Sequence, residues 1–413
     1  MTAGIPSGFG AQVQALGGTV AASYPEIGLV VTSGLSDAAA SQLARVPGVA
    51  GIDRDLEVQW VPLPDQLALE TLEAPSDQTN QSGAPFFSFF QWNLRQIQAN
   101  TAWLTTNQGQ GARVAILDTG IDPTHADLVG NLDVANSASM LTSSPCGPGD
   151  FGTILDRNFH GSFVAALVTS NGFGMASVAP DATLIAVKVL NCLGYGSFAN
   201  VIAGIIHATN VRADVINMSL GAYFPKNLPG AGQLVAALNR ATNFANRHGV
   251  LVVAAAGNNG VDLDKDRNFT FVPAQSANVL SVGATGPFQQ TNFDQLAFYT
   301  NRGVSGVAAM APGGNFRAGG FVRDGILSVC SHFSIFFPIC SIGQRYLIGG
   351  NGTSFAAPHA AGTAAVVESQ FAGDQNAARL EHCVIKGADD LGKPGTDDQY
   401  SKGRVNVVGA AAC

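Results

Sequence analysis

The sequence predicts an α/β fold in which helices cover both faces of a mainly parallel sheet. After about residue 93, short apolar runs alternate with longer stretches of helix-forming and small residues. The apolar runs are 113–118, 183–190, 213–220 and 249–257, and the helical stretches are 161–170, 197–210, 232–249 and 353–369. Runs that are apolar at successive positions are typical of parallel strands buried on both faces, and helices between such strands are typical of crossovers. We therefore expect a three-layer α/β/α domain.

A smaller α+β unit is predicted at the N-terminus, over residues 1–61. Its expected elements are a strand at 27–32, a helix at 35–48 that begins after Ser36, and a returning strand at 49–61. Residues 62–90 are polar and contain prolines, which is typical of a linker open to proteolysis. The rest of the chain, 91–413, is then the larger domain.

The composition limits the partners of the chain. There are 21 basic and 29 acidic residues among 413, so the net charge is −8, and no Lys/Arg cluster occurs. Nucleic acid and anionic membranes are therefore poor candidates. No apolar run has the length of a membrane span.

The cysteines favour disulfide bonds and hence export. An even number of them occurs, without a CxxC pair, at Cys146, Cys192, Cys330, Cys340, Cys383 and Cys413. This pattern disfavours zinc and predicts a secreted protein. Six buried free thiols in a cytosolic protein are the alternative. The first residues lack a signal-peptide pattern, so we expect the signal peptide to be absent from the chain as given.

Polar side chains follow several of the predicted strands. Asp118 closes the first run, Asn217 and Ser219 lie near the end of the third, and Asn258 follows the fourth. Ligands of open parallel sheets bind beyond the carboxyl ends of the strands. His160, in "NFHGSFVAAL", begins a predicted helix. These positions predict a polar cleft along one edge of the sheet.

Ser354 lies in the stretch "NGTSFAAPHAAG", where a turn leads into a predicted helix. We expect Pro358 to lie in the first helical turn, where proline is tolerated. Ser354 could be an N-cap, the commonest role of a serine at this place. It could also be a nucleophile beside the positive end of the helix dipole. A nucleophilic hydroxyl needs an imidazole and a carboxylate, which His160 and Asp118 could supply.

Five motifs, in this order, closely resemble those of the subtilisin-like serine proteases, or subtilases. They are "ILDTGID", "FHGSFVAAL", "INMSLG", "AAAGNNG" and "NGTSFAAPHAAG". The resemblance covers residues 93–413 and implies a subtilisin-like fold with a catalytic triad. Ser354 would be the nucleophile, His160 the general base and Asp118 its orienting carboxylate. The side-chain amide of Asn258 and the N–H of Ser354 would bind the oxyanion.

The resemblance also implies how a peptide substrate binds. Its backbone would pair with one strand on each side of the cleft, and Phe198 and Leu220 would line apolar pockets. The implied substrate-binding residues are Ser219, Leu220, Gly221, Gly194, Tyr195, Gly196 and Phe198. We expect a monomeric, secreted endopeptidase that acts on protein or peptide substrates with broad specificity. An apolar or aromatic residue before the cut is expected to be favoured, and no cofactor is needed for the chemistry.

Residues 11–61 resemble the propeptide, or inhibitor I9-like, domain of the same family. Such a domain has a ferredoxin-like α+β fold and blocks the cleft until it is removed. The chain would thus be a zymogen inhibited by its own propeptide. "PFFSFFQWNLRQIQANTAW" is similar to the start of a mature subtilase, so processing is expected within the linker, 62–90.

Two further expectations follow from the resemblance. The loops of Cys146 and Cys192 meet over the cleft in related proteases. We therefore expect Cys146–Cys192. The short segment between Cys330 and Cys340 favours a second bridge, which leaves Cys383 with Cys413, one choice out of 15 possible pairings. The Val272–Pro273 peptide bond aligns with a position that is cis in the family, and an ordinary trans bond is the alternative.

The chain departs from the family pattern in places. Phe163 replaces a second histidine, which predicts altered packing. Asp127 matches a frequent calcium ligand, but its partner loop at 169–180 is shortened, so the strong calcium site of the family is in doubt. Another calcium candidate is formed by Asp262, Asp264 and Asp266, although an acidic turn exposed to solvent is favoured there because the loop lacks the glycine and glutamate of an EF-hand.

Two other functions are compatible with the fold. One is a binding protein without catalytic activity, which the complete triad and Asn258 disfavour. The other is a serine-carboxyl peptidase that uses glutamate as its base at acid pH, which His160 in its motif disfavours. Labelling with a fluorophosphonate probe near neutral pH would distinguish all three.

Overall fold

The computed structural model describes residues 4–63, 70–73, 90–342, 346–371 and 373–413, with the backbone alone at 70–73. Its helices are α1 (Phe9–Ala15), α2 (Asp37–Leu43), α3 (Trp92–Gln96), α4 (Ala99–Ala102), α5 (His160–Val168), α6 (Phe198–Asn210), α7 (Ala231–Arg247), α8 (Thr353–Glu368), α9 (Ala377–Lys386) and α10 (Val407–Ala411). Its strands are β1 (Thr19–Tyr24), β2 (Leu29–Ser33), β3 (Glu57–Gln59), β4 (Glu70–Glu73), β5 (Arg113–Asp118), β6 (Ala138–Ser139), β7 (Thr183–Lys188), β8 (Tyr195–Ser197), β9 (Val215–Met218), β10 (Ala222–Pro225), β11 (Leu251–Ala255), β12 (Phe269–Val272), β13 (Val279–Thr285), β14 (Ala309–Pro312), β15 (Ile326–Val329) and β16 (Tyr346–Gly350).

The main sheet has seven strands in the order β14-β13-β11-β9-β5-β7-β6, and every neighbouring pair is parallel. Its central strands are buried on both faces. On β5, Val114 and Ile116 belong to one apolar core, while Ala115 and Leu117 belong to the other. This double burial explains why the strands are apolar at successive positions instead of alternating with polar residues.

Helices cover both faces of this sheet. Residues of α5 and α8 contribute to the first core, and residues of α6 and α7 contribute to the second. All residues of α8 are buried, and small side chains let it lie against its neighbours. A Cβ on Gly362 would lie 2.7 Å from a carbon of Val178. The predicted three-layer α/β/α fold is confirmed.

The N-terminal unit differs in detail from its prediction. Helix α2 begins as expected, because the Ser36 hydroxyl accepts a hydrogen bond from the N–H of Ala39. Helix α1 and strand β1 were not predicted, and β1 pairs with β2 alone. The strand expected at 49–61 forms only at β3, which pairs with β8 of the large domain. Among the described residues, this unit therefore has a two-stranded sheet and not the larger sheet of a ferredoxin-like fold.

The structure contains three disulfide bonds, Cys146–Cys192, Cys330–Cys340 and Cys383–Cys413, in the predicted pairing. The Val272–Pro273 peptide bond is cis, as expected. Within the described part of the chain, no helix is both long and apolar enough to span a bilayer. Most of the predicted linker, 62–90, lies outside the described residues.

Pro358 is not in the first turn of its helix, and this expectation was wrong. Helix α8 begins at Thr353, so Pro358 is its sixth residue. A proline there has no N–H to donate to the carbonyl four residues earlier, which is that of Ser354. The hydroxyl of Ser219 donates to this carbonyl at 2.6 Å instead. A hydrogen bond from a neighbouring strand end thus replaces one that the helix cannot form.

Candidate active site

Asp118 and His160 are joined by a buried hydrogen bond. Asp118 is the last residue of β5 and His160 the first of α5, and both are withdrawn from solvent. Nδ1 of His160 lies 2.8 Å from Oδ1 and 3.0 Å from Oδ2 of Asp118. The N–H of Thr119 donates to the same Oδ1 at 2.7 Å. A carboxylate in this position holds Nδ1 protonated and leaves Nε2 able to accept a proton.

Close backbone contact brings the two residues together. A Cβ on Gly161 would lie 2.0 Å from the carbonyl oxygen of Gly120, so only glycine lets α5 begin so near the end of β5. The hydroxyl of Thr119 accepts from the N–H of Gly161 at 2.9 Å and donates to Oδ1 of Asp156 at 2.9 Å. Thr119 therefore connects the turn after Asp118 to the start of the helix that carries His160.

The buried side chain of Lys188 stabilises the turn after Asp118. Nζ of Lys188 donates to the carbonyl oxygens of Thr119 and Leu155 and pairs with Oδ1 of Asp150 at 3.0 Å. Burial lowers the pKa of Lys188 and raises the pKa of Asp156, because desolvation disfavours the charged form of each group. The positive charge of Lys188 thus compensates the negative charges of the buried Asp150 and Asp156. No motif in the sequence indicated Lys188 or Asp156.

Ser354 is the second residue of α8 and is nearly buried, with 8% of its surface exposed. Its hydroxyl has no hydrogen-bond partner among the described residues. The ring of the next residue, Phe355, lies 5.8 Å from the ring of His160 and stacks on Phe163 at 4.0 Å. Phe163 thus packs between helices where the family has a second histidine, and the contact brings the start of α8 to His160.

The backbone of Ser354 is held from the end of β9. Ser219 donates to the Ser354 carbonyl and accepts from Nδ2 of Asn217 at 2.9 Å. The backbone group that would normally donate to this carbonyl belongs to residue 358, a proline without an N–H, so the Ser219 hydroxyl supplies the bond that the helix lacks. The side chain of Ser219 therefore has a role that the resemblance, which assigned it to substrate binding, did not indicate.

Ser219→Ala is expected to lower kcat about tenfold, equivalent to about 1.4 kcal/mol, with little change in KM. The variant leaves the buried Ser354 carbonyl without a donor, which costs about 1–3 kcal/mol of stability. Steady-state kinetics and thermal melts measure both effects, and Ser219→Thr, which keeps the hydroxyl, should restore kcat. An unchanged kcat in a destabilised Ser219→Ala would limit the residue to a structural role.

Asn258 follows β11 and presents its amide beside the start of α8. Its Oδ1 accepts from the N–H and the hydroxyl of Thr353, at 2.9 and 2.8 Å, which orients Nδ2 away from Thr353. A Cβ built on Gly352 would lie 3.7 Å from Nδ2 of Asn258 and 3.7 Å from the backbone N of Ser354. Two N–H donors thus border the same small space. The left-handed turn residue here is Gly257, with φ of 100°, and not Asn258.

The chain's own residues 57–61 lie along the cleft. β3 pairs antiparallel with β8, and the N–H of Trp60 donates to the carbonyl of Gly194 at 2.9 Å. On the other side, the N–H of Gly221 donates to the carbonyl of Trp60 at 3.1 Å. A Cβ on Gly194 would lie 2.5 Å from the carbonyl oxygen of Val61, so a side chain there would displace the peptide.

An aromatic pocket receives Trp60. Its ring lies 5.0 Å from that of Phe198 and 6.4 Å from that of Phe224, and its Nε1 donates to the carbonyl of Gly196 at 2.9 Å. Leu220 is buried in the same apolar core. The structure thus brings the predicted cleft residues together and adds Phe224, which the sequence analysis missed because β10 carries no motif.

Asp127, the doubtful calcium ligand, is fully occupied by protein donors. Its Oδ1 accepts from the hydroxyl of Ser170 at 2.6 Å and from the N–H groups of Phe173 and Gly174, and its Oδ2 accepts from Gly174 at 3.0 Å. The shortened loop folds its backbone onto the carboxylate. These residues do not fit a calcium ion, because the ligand oxygens already have N–H and O–H partners.

The second calcium candidate does not converge either. Asp262 pairs with Lys265 at 2.6 Å, Asp264 accepts from the N–H groups of residues 305 and 306, and Asp266 accepts from Asn268 and Phe269. Each carboxylate stabilises a different part of the loop. In the described part of the chain, one group of three metal-ligating side chains is close enough to share an ion. It comprises Cys146, Asp150 and Cys192, and its cysteines form a disulfide.

Because the Asp127 carboxylate is occupied by protein donors, we expect chelators to leave the Tm of the wild-type protein unchanged. Asp127→Asn should weaken hydrogen bonds to a charged group, each contributing about 1.5–3 kcal/mol, and lower Tm equally with and without EDTA. Thermal melts of both proteins in calcium and in EDTA provide the measurement. A Tm that EDTA lowers in the wild type but not in Asp127→Asn would show that calcium binds Asp127.

Comparison with known proteins identifies the family. A model described as Subtilase family, Peptidase S8, matches residues 109–403. The chain is 31% identical over 328 residues to the thermophilic serine proteinase of Bacillus sp. (strain AK1), covering 79% of this chain and 68% of that protein. Thermitase of Thermoactinomyces vulgaris is 32% identical over 326 residues, covering 79% of this chain and 97% of that protein.

A solved structure extends the likeness to the N-terminal unit. The epidermin leader peptide processing serine protease from Staphylococcus aureus superposes with a TM-score of 0.77 over 98% of this chain and 96% of its own. At 23% identity this likeness shows the fold alone. The family model covers more than half of the chain and thermitase is similar over nearly its whole length, so the chain belongs to the subtilase family and is a serine endopeptidase.

Proposed function

We propose that the chain hydrolyses peptide bonds through an acyl-enzyme on Ser354. The observation that supports this most strongly is the buried pair of Asp118 and His160, whose Nε2 is left to accept a proton. The hydroxyl of Ser354 attacks the carbonyl carbon while its proton passes to Nε2. The imidazolium then protonates the leaving amine as the C–N bond breaks, and water repeats both steps to release the acid. No cofactor takes part.

The oxyanion of each tetrahedral intermediate would lie near Gly352. Nδ2 of Asn258 and the N–H of Ser354 border this space, and both are fixed before substrate binds. Thr353 holds the amide, and Ser219 holds the backbone. Donors already oriented toward developing charge stabilise a transition state without reorganisation. The N-terminus of α8 adds its dipole.

The chain is proposed to be a zymogen in which residues 1–61 inhibit the large domain, 91–413. Residues 57–61 occupy the cleft with substrate-like backbone hydrogen bonds. Ile27 of the N-terminal unit is buried in the core that contains residues of α6 and α7, so the unit also packs against that helical layer of the large domain. Processing is proposed within the linker, 62–90.

The mature enzyme is proposed to keep the residues from about 91 onward. Gln91 exchanges hydrogen bonds with both backbone groups of Ala176 at 2.8 Å. Nδ2 of Asn93 donates to Nε2 of His359 at 2.7 Å, and Nδ1 of His359 donates to the carbonyl of Phe355. Because burial lowers the pKa of His359 to about 4, this histidine stays neutral and structural at neutral pH. Removing Asn93 would leave Nε2 of the buried His359 without this hydrogen bond.

Specificity is proposed to be broad, with apolar or aromatic residues favoured before the cut. Recognition through backbone hydrogen bonds on both sides of the cleft is tolerant of sequence, while apolar walls such as Leu220 and Phe198, which contacts Trp60, favour apolar side chains among the residues that precede the cut. The three disulfide bonds support secretion. Activity on peptides that differ only in the residue before the cut would measure the preference.

Ser354→Ala is expected to accumulate as the full-length chain, while the wild type loses its N-terminal unit. The substitution removes the proposed nucleophile and leaves the helix start otherwise intact. Purified proteins are incubated alone and analysed by intact mass, and a fluorophosphonate probe should label the wild type only. Equal processing of both proteins would show that another protease makes the cut.

A further inference from the structure

A second strand of the chain's own N-terminal region pairs with the catalytic domain close to Ser354. β16 leads through Asn351 and Gly352 to Thr353 and Ser354, the first two residues of α8. One of its edges pairs antiparallel with β15, and the other pairs antiparallel with β4. Four residues of β4 take part, with Glu73 opposite Tyr346 and Glu70 opposite Gly349. This edge of β16 is therefore able to bind an extended polypeptide through its backbone.

The two bound segments give a direction to the cleft. β3 and β4 belong to one stretch of chain, in which β3 comes first. β3 lies against β8, beside Gly221 and hence near Ser219, which holds the backbone of Ser354. β4 lies against the strand that runs into the turn before Ser354. A polypeptide in the same orientation has its N-terminal part on β8 and its C-terminal part on β16, with Ser354 between them along the chain.

We propose that, once β4 has left, the free edge of β16 binds the part of a protein substrate that lies beyond the cut, as an added antiparallel strand. The proposal rests on the proposed function. An unpaired strand edge presents a row of N–H and C=O groups that another chain can pair with. β4 indicates that this edge accepts an antiparallel strand, so the fitting partner is an extended polypeptide.

The proposal defines a substrate class. Gly349 lies five residues before Ser354, about 17 Å of extended chain at about 3.3 Å per residue. A substrate must therefore continue roughly four to six residues past the cut before it reaches the positions that β4 occupies. Unfolded protein segments and long peptides meet this requirement, whereas short peptides and esters do not. Because strand addition uses the backbone, side chains on this part of the substrate should matter less than its length.

The first experiment varies substrate length on the self-processed wild-type enzyme, whose N-terminus is determined by mass spectrometry. Two peptides share the residues before the cut and extend two or eight residues beyond it. The longer peptide is expected to have a kcat/KM about 10-fold higher or more, since each added backbone hydrogen bond is worth about 2–10-fold. A control peptide carries the extra residues at its N-terminal end instead, and its gain should be smaller.

The second experiment separates strand addition from other contacts. A series of the longer peptide carries one N-methylated residue at each successive position from the fourth to the eighth beyond the cut. In an antiparallel strand, alternate N–H groups point to the neighbouring edge, so the losses in kcat/KM should alternate between about 2–10-fold and none. Side-chain recognition predicts no such alternation, and the N-methyl peptides with no loss are the matched controls.

The outcomes are distinct. Equal kcat/KM for short and long peptides, with normal fluorophosphonate labelling, overturns the proposal and leaves the proposed function intact. If short and long peptides give equal kcat/KM and the mature chain retains residues 70–73, β4 remains paired with β16 in the active enzyme. That outcome also overturns the proposal. An N-methyl series without alternation rejects pairing with β16 even if length matters. Absence of both cleavage and labelling would instead refute the proposed function.

Discussion

His160→Ala is expected to lower kcat for peptide hydrolysis by about 10⁶-fold and to abolish self-processing. The magnitude is that of the corresponding loss in a subtilisin, a member of the same family. The Asp118 carboxylate lies 2.8 Å from Nδ1 of His160 and leaves Nε2 as the proposed acceptor of the Ser354 proton, which this substitution removes. Rates on a soluble peptide substrate and fluorophosphonate labelling measure the effect.

The control is His248→Ala, because His248 is exposed at the end of α7 and its Nδ1 lies 2.8 Å from the carbonyl oxygen of Phe244 on its own helix. This variant should keep wild-type kcat. His160→Ala leaves the Asp118 carboxylate buried without its partner, so its thermal melt is needed to exclude unfolding. A folded His160→Ala that still cleaves peptides at acid pH would indicate a carboxylate as the base, as in serine-carboxyl peptidases.

The main architecture was predictable because its cause is local in sequence. A parallel strand buried on both faces must be apolar at successive positions. The residues from Val114 to Leu117 are all apolar and pack alternately into the two cores on either side of the sheet. Polar residues at the strand ends, such as Asp118 and Asn258, were expected to face one cleft, and they lie at one edge of the sheet. The spacing of strands and helices thus specified the layers, and the strand ends specified which edge of the sheet carries these polar residues.

The supporting hydrogen bonds were not predictable, since they join residues far apart in sequence. Ser219 and Ser354 are 135 positions apart, and no local pattern links them. The missing N–H of Pro358 was a usable signal: a proline within a helix leaves one carbonyl without a donor. Placing Pro358 in the first turn concealed that signal. Lys188 was likewise hidden among apolar neighbours, although a charged residue in a buried strand needs compensating charges.

The N-terminal region shows a different limit. The sequence predicted a strand over 49–61 but not its partner, because one strand can pair with any compatible edge. β3 pairs with β8, and β4 with β16, so both complete edges of the large domain. At Asp127 the shortened loop was visible in the sequence. Its physical consequence was visible only in the structure. The backbone N–H groups of Phe173 and Gly174 donate to the Asp127 carboxylate, where a calcium ion would otherwise bind.

Asn258→Ala is expected to lower kcat about 10²–10³-fold, or 2.7–4 kcal/mol, with KM nearly unchanged. This magnitude too comes from a subtilisin. Nδ2 of Asn258 would donate to the oxygen of the substrate only when that oxygen becomes negatively charged, so its loss affects the transition state and not substrate binding. Activity should persist above background, because the N–H of Ser354 and the dipole of α8 still act on the oxyanion.

The structural alternative is that Asn258 serves only to hold Thr353, whose N–H and hydroxyl donate to its Oδ1. Losing that acceptor should cost about 1 kcal/mol of stability, which a thermal melt detects. Asn258→Asp separates the two roles, because it keeps an oxygen for Thr353 but replaces the amide N–H groups with a negative charge. We expect its kcat to fall at least as far as that of Asn258→Ala, with Tm near the wild-type value. Asn259→Ala, at the exposed neighbouring residue, is the matched control and should keep both. If Asn258→Asp retained wild-type kcat, or Asn258→Ala lost stability alone, the amide would not bind the oxyanion.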